Sequence, residues 1–434
     1  SQVLVDCGLF QGLAPLRRRN WQRPPVALDR LDAIVLTHAH LDHCGYLPVL
    51  VRHGWRGPVF TTEGTADLAA IVLADSAHLM MEVARQANES GWSKHKPALP
   101  LYDADDAERA IKLFRPIDFE VARSIADGVD LEFGRAGHIL GSAWAHLTLG
   151  DRNVVVSGDL GRPAHRVLLP PQPRPACDAL LIESTYGDRP HHDDAAATEL
   201  FAETIRRTAA RGGSVLIPAF AVDRTEVILI QLAELARAGR IPDLPVFVDS
   251  PMALASLRVY RQAVAKSWPE IRPELMHGED AFDPGQLAEL HTAGQSMQAN
   301  DPKKPSIIIS ASGMATGGRV LHHLKHMLPN NKHTVLIVGY AAVGTRARSL
   351  VDGGREIKIH GRYVPVKAEV QVLDAFSAHA DADELLAWAT SGPAPATAYV
   401  VHGEPESAAT MAERLAAEHG WTAVVPGDGE RVLV

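Results

Sequence analysis

The chain has 434 residues, 46% of them apolar and 22% charged, with a formal net charge of −9. This is the composition of an ordinary soluble globular protein of two or three domains with ample core. No apolar run approaches the roughly 18 residues of a membrane span, and the acidic balance argues weakly against a polyanion partner unless basic clusters or bound cations offset it locally.

No secretory signal is visible. The chain opens at Gln2-Val3-Leu4-Val5-Asp6 already in strand character, so a preceding native segment, with any targeting signal it carried, is expected to be missing. Cys7, Cys44 and Cys177 have no metal-type spacing and read as small buried hydrophobes in a reducing compartment. Cys44 adjoins His43, and a ligand role is its rarer alternative. Basic clusters occur at Arg17-Arg18-Arg19 with Arg23, at Lys303-Lys304, and at Arg346, Arg348 and Arg355. Each alone reads first as a solvated face.

The run Ala33-Ile34-Val35-Leu36-Thr37 reads as a buried strand that delivers His38-Ala39-His40-Leu41-Asp42-His43. Cys44-Gly45-Tyr46-Leu47-Pro48 then opens as a loop and turns into a short helix. A turn there can aim His38 and His40 at one point and Asp42 and His43 at another, and imidazole and carboxylate suit zinc. A polar loop with chance histidines is the competing account, since the chain holds 21 His. Loops rarely spend four of six positions on ligand-type side chains, which favours metal.

Helical spacing predicts a long helix over residues 65–90 and a second over 104–114, after an acidic cluster at Asp103, Asp105, Asp106 and Glu108. Strands dominate from about 117 to 183, and the Pro-rich stretch 169–175 reads as an ordered loop. From 194 to 350 three units repeat a strand, a small-residue loop and a helix. The strands are 215–218, 306–310 and 334–338, and the helices start near Thr225, Arg319 and Thr345. The last two loops are Ala311–Gly318 and Gly339–Gly344. Such units present helix N-termini to phosphates, although plain sheet architecture explains any single loop equally well. His322, His323 and His326 share a predicted helix, where a third metal is disfavoured, and His191-His192 read as a polar loop. After residue 355 short strands with polar loops return.

Asp6, His138, Asp159, Glu183, His379 and His402 share one grammar. An apolar stretch delivers each to its end, beside Gly or Ser, as active sites are built at one rim of a sheet. A metal site completed from both chain ends makes the middle an insertion. The expected division is a first domain from residues 1–193 and 353–434, interrupted by a second at 194–352.

With these residues the chain resembles the metallo-β-lactamase superfamily: His38-x-His40-x-Asp42-His43, His138, Asp159 and the early Asp6 carry the likeness. Glu183-Ser-Thr-Tyr, Phe376-Ser-Ala-His379-Ala-Asp and Val401-His402-Gly-Glu look like the three further motifs of its β-CASP branch of nucleic-acid-processing nucleases. Ile217-Pro-Ala-Phe-Ala-Val, Val248-Asp-Ser-Pro-Met-Ala and Ser310-Ala-Ser-Gly-Met also match that branch. The likeness spans nearly the whole chain. It implies an α/β fold: a four-layer αββα metallo-β-lactamase domain with an inserted Rossmann-like β-CASP domain, RNA entering between them.

The resemblance also implies roles and two zinc ions per chain. His38, His40 and His138 would hold one zinc, Asp42, His43 and His402 the other, with Asp159 bridging and Asp6 orienting a ligating histidine. His379 would be the general acid with Glu183 as its charge partner, beside Asp42 in the catalytic set. The chemistry agrees: phosphodiester hydrolysis needs a nucleophile, here a hydroxide between two metals, charge neutralisation at phosphorus and a protonated leaving oxygen. RNA-type members carry His at the last motif where DNA-repair members carry Val, and His402 therefore favours RNA. Two departures, Asp223 where relatives place Gly and Ala341-Ala342 for a Gln-containing stretch, lie in the inserted domain. Ser312, Gly313 and Arg346 are the candidate phosphate contacts, with a tight turn and a solvated arginine as the plain account.

The expectation is thus a cytoplasmic zinc-dependent ribonuclease, endonuclease or 5′-exonuclease, with RNA as partner, no membrane association and a homodimer allowed for. The alternatives are a dizinc hydrolase of small esters or thioesters, a non-catalytic RNA-binding scaffold, and a DNA nuclease. The first needs neither Glu183 nor His379, the second would have lost ligands, and the third is disfavoured by His402.

Overall fold

A computed structural model of the chain describes all residues except 25, 92, 192–193, 277, 340 and 374–375. His192, the expected boundary at 193, and residue 340 of the 339–344 loop lie outside the described residues. The chain forms two compact units, one of residues 1–11, 15–190 and 378–434, the other of 12–14 and 191–377.

In the first unit β1 (Val3–Val5), β2 (Ala33–Val35), β3 (Val59–Thr61) and β4 (Phe114–Pro116) make a four-stranded parallel sheet in that order. Helices α1 (Ala14–Arg19), α2 (Leu41–Cys44), α3 (Leu47–Arg52), α4 (Glu63–Ser90) and α5 (Ala104–Ile111) connect them. Local chemistry sets the helix ends. Thr62 Oγ1 accepts from Thr65 N at the start of α4, and Gly91, at φ +67°, ends it in the left-handed conformation. Asp103 and Asp106 cap α5 reciprocally.

A meander follows, β5 (Arg123–Ala126), β6 (Val129–Arg135), β7 (Ala143–Leu149) and β8 (Arg152–Val156), and then β9 (Ala179–Glu183). Ala33 and Val35 from the first sheet share one apolar core with Leu131, Phe133, Ala145, Leu147 and Val154 from the second. The two sheets therefore pack face to face.

The second unit contains α6 (Asp194–Ala210), β10 (Val215–Pro218), α7 (Arg224–Arg237), β11 (Val246–Val248), α8 (Pro251–Ala265), β12 (Leu287–Glu289) and α9 (Ala293–Ala299). It continues through β13 (Ile307–Ser310), α10 (Val320–Met327), β14 (Thr334–Val338), α11 (Arg346–Val351), a hairpin of β15 (Glu356–Ile359) and β16 (Arg362–Pro365), and β17 (Glu369–Leu373). Its sheet is all parallel in the order β12-β11-β13-β10-β14-β17. Near-continuous burial of Val215–Pro218, Ile307–Ser310 and Thr334–Val338 fits strands covered on both faces. The first unit resumes at Ala378 and not at the expected 353, because β17 pairs along its full length with β14 and Glu369 meets Arg207 and Arg211.

The chain then returns to the first unit as α12 (Ala382–Ala389), β18 (Thr397–Val401), α13 (Pro405–His419) and β19 (Ala423–Val424). β18 enters the second sheet parallel to β9 and completes the order β19-β18-β9-β8-β7-β6-β5. Leu385, Leu386, Trp388, Met411 and Leu415 cover the outer face of that sheet. Among the described residues no helix is long and apolar enough to cross a membrane.

Candidate metal centre

The pairing of β18 with β9 sets Glu183 opposite Val401, so His402 is delivered beside Ser184 although 218 positions separate them. This one register brings both chain ends to one rim. There His38, His40, His138 and Asp159 form one group of donor atoms, and Asp42, His43 and His402 a second, each within 4.8 Å. A third overlapping group, Asp159, Glu183 and His402, meets the same limit.

In the first group His40 Nδ1 lies 3.1 Å from His38 Nε2 and 3.2 Å from His138 Nε2. Asp159 Oδ2 lies 3.4 Å from His38 Nε2 and 3.6 Å from His138 Nε2. In the second, His43 Nε2 and His402 Nε2 are 3.0 Å apart, and His402 Nε2 is 3.7 Å from Asp42 Oδ2. Asp159 also reaches this group, its Oδ1 lying 3.3 Å from His43 Nε2 and 3.4 Å from His402 Nδ1.

These residues fit metal ions. Tetrahedral coordination at about 2.0–2.1 Å separates donor atoms by about 3.3 Å, close to the spacings here. Hydrogen bonding does not explain them, because a ring nitrogen has one lone pair and His40 Nδ1 faces two nitrogens. Asp159 Oδ1, although buried, accepts no hydrogen bond. Burial, with the neighbouring His38, pushes His40 down to about 3, and burial also lowers His38 and His138. Neutral imidazole is the form that ligates a cation. Burial works against the charge of Asp159, but His402, His43 and His38 outweigh it and hold the carboxyl well below the usual carboxylate range.

Supporting groups fix the donors. Asp6, at φ +58° just past β1, accepts from Thr37 N at 2.8 Å and Thr37 Oγ1 at 2.7 Å and faces His43 Nδ1 at 2.7 Å. Thr37 Oγ1 also lies 3.1 Å from His38 Nδ1. Ser142 Oγ accepts from His138 N at 2.9 Å. Asp42 and His43 lie on α2, so the expected loop is a helical turn, held by bonds from Cys44 N to His40 O and from Gly45 N to Leu41 O. Cys44 is outside every donor group, and its Sγ donates to Ala39 O.

Beside the two groups His379 Nδ1 lies 3.3 Å from Glu183 Oε2 and 3.8 Å from Asp159 Oδ2. Glu183 is fully buried and also accepts from Leu160 N at 2.6 Å. Burial opposes a charge on His379, but Glu183 and then Asp159 raise it above the ordinary histidine value.

Ser312, Gly313 and Arg346 belong to the second unit. Ser312 Oγ accepts from Thr316 N at 3.0 Å. Arg346 is occupied within the fold: Nε donates to Lys358 O, and Nη1 donates to Ala315 O and Thr316 O. It braces the loop after β13. His323, predicted as non-ligating, is buried with Nε2 at 2.7 Å from Asp249 Oδ2. Asp223, where relatives place Gly, adopts φ +69° and accepts from Tyr260 Oη.

Sequence reasoning missed Thr37, Ser142 and the glycines behind the ligands. A Cβ on Gly8 would stand 1.5 Å from Asp42 O, and one on Gly161 would stand 1.7 Å from Gly137 O and 2.5 Å from His138 N. Thr37 carried a weak signal, a hydroxyl between an apolar strand and the first histidine; the glycine contacts carried none.

Family models agree with this architecture. That of the metallo-β-lactamase superfamily matches residues 1–219, that of the Beta-Casp domain 225–350, and that of the Zn-dependent metallo-hydrolase RNA specificity domain 363–426. The chain belongs to the β-CASP branch of the metallo-β-lactamase superfamily. This β-CASP protein is 36% identical over 417 residues to Ribonuclease TTHA0252 of Thermus thermophilus, covering 96% of this chain and 90% of that one. It is 32% identical over 432 residues to transcription termination factor FttA of Methanocaldococcus jannaschii, covering 96% of this chain and 65% of that one. With FttA of Pyrococcus horikoshii the identity is 33% over 419 residues, covering 92% and 61%. The chain thus spans less than two thirds of the length of these two archaeal relatives.

Proposed function

We propose that this β-CASP protein is a dizinc ribonuclease that hydrolyses RNA phosphodiester bonds. The carrying observation is Asp159, whose two oxygens face the two donor groups while His379, backed by Glu183, stands at its side. His38, His40, His138 and Asp159 would hold one zinc, and Asp42, His43, His402 and Asp159 the other. Bound there, two zinc ions would activate water and neutralise charge on the phosphate. RNA, and not a small ester, is supported by the match to a family model named for RNA specificity and by the likeness to a ribonuclease.

The chain's own residues divide the remaining work. Asp6 keeps the proton of His43 on Nδ1, so that Nε2 stays available to a cation. Glu183 favours a proton on His379, and His379 donates it to the leaving ribose oxygen. The buried carboxylate also accepts from Leu160 N, which fixes the direction from which it meets the imidazole. On the second unit Ser312 and the Gly313 backbone would meet phosphates, with Arg346 bracing their loop.

The test is cleavage of 5′-labelled and internally labelled RNA by holoprotein, by chelator-stripped protein and by stripped protein given zinc. Activity should vanish on stripping and return with zinc. Asp159→Asn and His402→Ala should lose both metal and cleavage, whereas His379→Ala should lose cleavage with its zinc content unchanged. Undiminished cleavage by metal-free protein would overturn the proposal. Mononucleotides released from one end would mark 5′-exonuclease action, and a ladder of internal products endonuclease action.

A further inference from the structure

The exposed side of α10 and the hairpin β15–β16 form a surface of unusual character for a chain of net charge −9. Ile357, Ile359 and Val364 point inward into an apolar core shared with Val320, Leu321 and Leu324 of α10. Hairpin and helix thus share one core, and the other side of the hairpin is open beside the exposed side of the helix. His322 and Lys325 from the helix and Lys358, His360 and Tyr363 from the hairpin are exposed there, whereas Arg362 stands opposite Ile359 and so belongs to the inner side.

Three observations set this face apart from a solvated one. Lys325 and Lys358 have no ion-pair partner among the described residues, whereas Arg85, Arg109, Arg206, Arg207 and Arg261 on α4–α8 are paired. The one acid of the hairpin strands, Glu356, sits at the open end opposite Pro365. The aromatic rings are also presented outward: Tyr363 is 64% exposed with Lys358 Nζ 5.8 Å from its ring centre. The rings of His322 and His360 lie with centroids 4.9 Å apart. Burial first, and then nearby cations including Lys325, push both histidines down, so at neutral pH they are flat neutral rings. Unpaired cations interleaved with exposed rings are what a single strand of nucleic acid requires: charge for phosphates and flat surfaces for bases.

We propose that this face binds a segment of single-stranded RNA, with Lys325 and Lys358 against its phosphates and Tyr363 and the His322–His360 pair against its bases. The inference rests on the ribonuclease reading and extends it to a strand-holding surface on the second unit. It assigns the hairpin a role in substrate retention, so its loss should weaken long substrates while leaving the chemical step intact.

The test measures binding of a phosphorothioate oligouridylate of about fifteen nucleotides to the full holoprotein by fluorescence anisotropy across a salt series. The same proteins are assayed for hydrolysis of bis(p-nitrophenyl) phosphate, which is too small to span the face. The variants are Lys325→Ala/Lys358→Ala and, separately, Tyr363→Ala and Tyr363→Phe. All the altered side chains are exposed, and thermal unfolding checks that each variant folds. The double lysine variant should bind at least about five-fold more weakly at low salt, with a salt slope smaller by about one to two. Tyr363→Ala should weaken binding about five- to a hundred-fold and Tyr363→Phe should not. Hydrolysis of the small diester should be unchanged in all three. A control, Lys303→Ala/Lys304→Ala, removes two exposed lysines elsewhere on the unit and should bind as the parent does.

Unchanged affinity and slope in Lys325→Ala/Lys358→Ala would overturn the proposal while the parent's cleavage of RNA left the ribonuclease reading standing. An equal loss in the lysine control, or poly-glutamate competing as well as the oligonucleotide, would also overturn it by showing a response to charge alone. A parent that neither binds RNA nor hydrolyses either substrate would overturn both readings.

Discussion

Gly8→Ala offers a demanding check on the metal centre, because Gly8 belongs to no donor group and acts only through the backbone it packs against. A Cβ there would sit 1.5 Å from Asp42 O, 1.9 Å from its carbonyl carbon and 2.7 Å from its Cα. Real Cβ atoms essentially never approach within 3.0 Å, so something must move by 3.0 − 1.5 = 1.5 Å or more. The segment cannot retreat alone. Cys7 N donates to His43 O at 2.7 Å, Leu9 N donates to Leu41 O at 2.8 Å, and Tyr46 N donates to Cys7 O at 2.8 Å. If α2 yields, Asp42 and His43 leave their places. If the segment yields instead, Asp6 moves and with it the contact to His43 Nδ1. Metal sites tolerate departures of about 0.2 Å, and a misplacement of about 1 Å can cost about 100-fold in rate. Gly8→Ala should therefore lose the metal that Asp42, His43 and His402 would hold and at least about 100-fold of RNA cleavage. Metal content is read by mass spectrometry and cleavage on labelled RNA. Gly294→Ala, where an added Cβ would meet nothing closer than Thr292 Oγ1 at 3.9 Å, is the matched control. A Gly8→Ala protein with full metal and full activity would refute the geometry.

Two further outcomes follow from groups around and away from that centre. Asp6→Asn tolerates the left-handed backbone at φ +58° and still accepts from Thr37, but it removes the negative charge facing His43 Nδ1. Zinc affinity at the second donor group should fall about 10- to 100-fold in chelator competition, with unchanged circular dichroism, and an unaltered affinity would deny Asp6 its orienting role. Glu226 is fully buried on α7, and burial followed by the charge of Asp223 pushes it well above the ordinary glutamate value. The native state thus keeps a proton that the unfolded chain releases. The stability this contributes is complete below about pH 4.3 and declines as pH rises, by at most about 1.4 kcal/mol per pH unit until the folded-state value is passed. Glu226→Gln should melt with the parent near pH 4 and above it near pH 8 in thermal unfolding; parallel pH profiles would show that Glu226 is not buried as an acid.

How much of this was legible in the sequence depends on where each constraint acts. His38, His40, Asp42, His43, His138, Asp159 and His402 could be singled out because ligand-type side chains follow apolar strands, a pattern confined to a few consecutive residues. The same locality exposed the long helix from 63 to 90 and the parallel strands of the second unit. What escaped was set by contacts between distant segments. In the helical turn Leu41–Cys44 only Leu41 is a good helix former, Asp42, His43 and Cys44 being indifferent ones, and the turn is held in part by the clasp of Cys7 and Leu9 on its carbonyls. Residues 353–377 look like the short strands that follow them, yet Glu369–Leu373 finds its partner in Thr334–Val338. Arg346 looked like a free cation until three carbonyls claimed it. That last case bears on the hairpin. An arginine and a lysine are equally cationic in a sequence, and only the surrounding donors and acceptors tell which is spent on the fold. Arg346 is spent there, whereas Lys325 and Lys358 are not, so a nucleic-acid contact is better sought on the hairpin face than at the arginine the sequence made prominent.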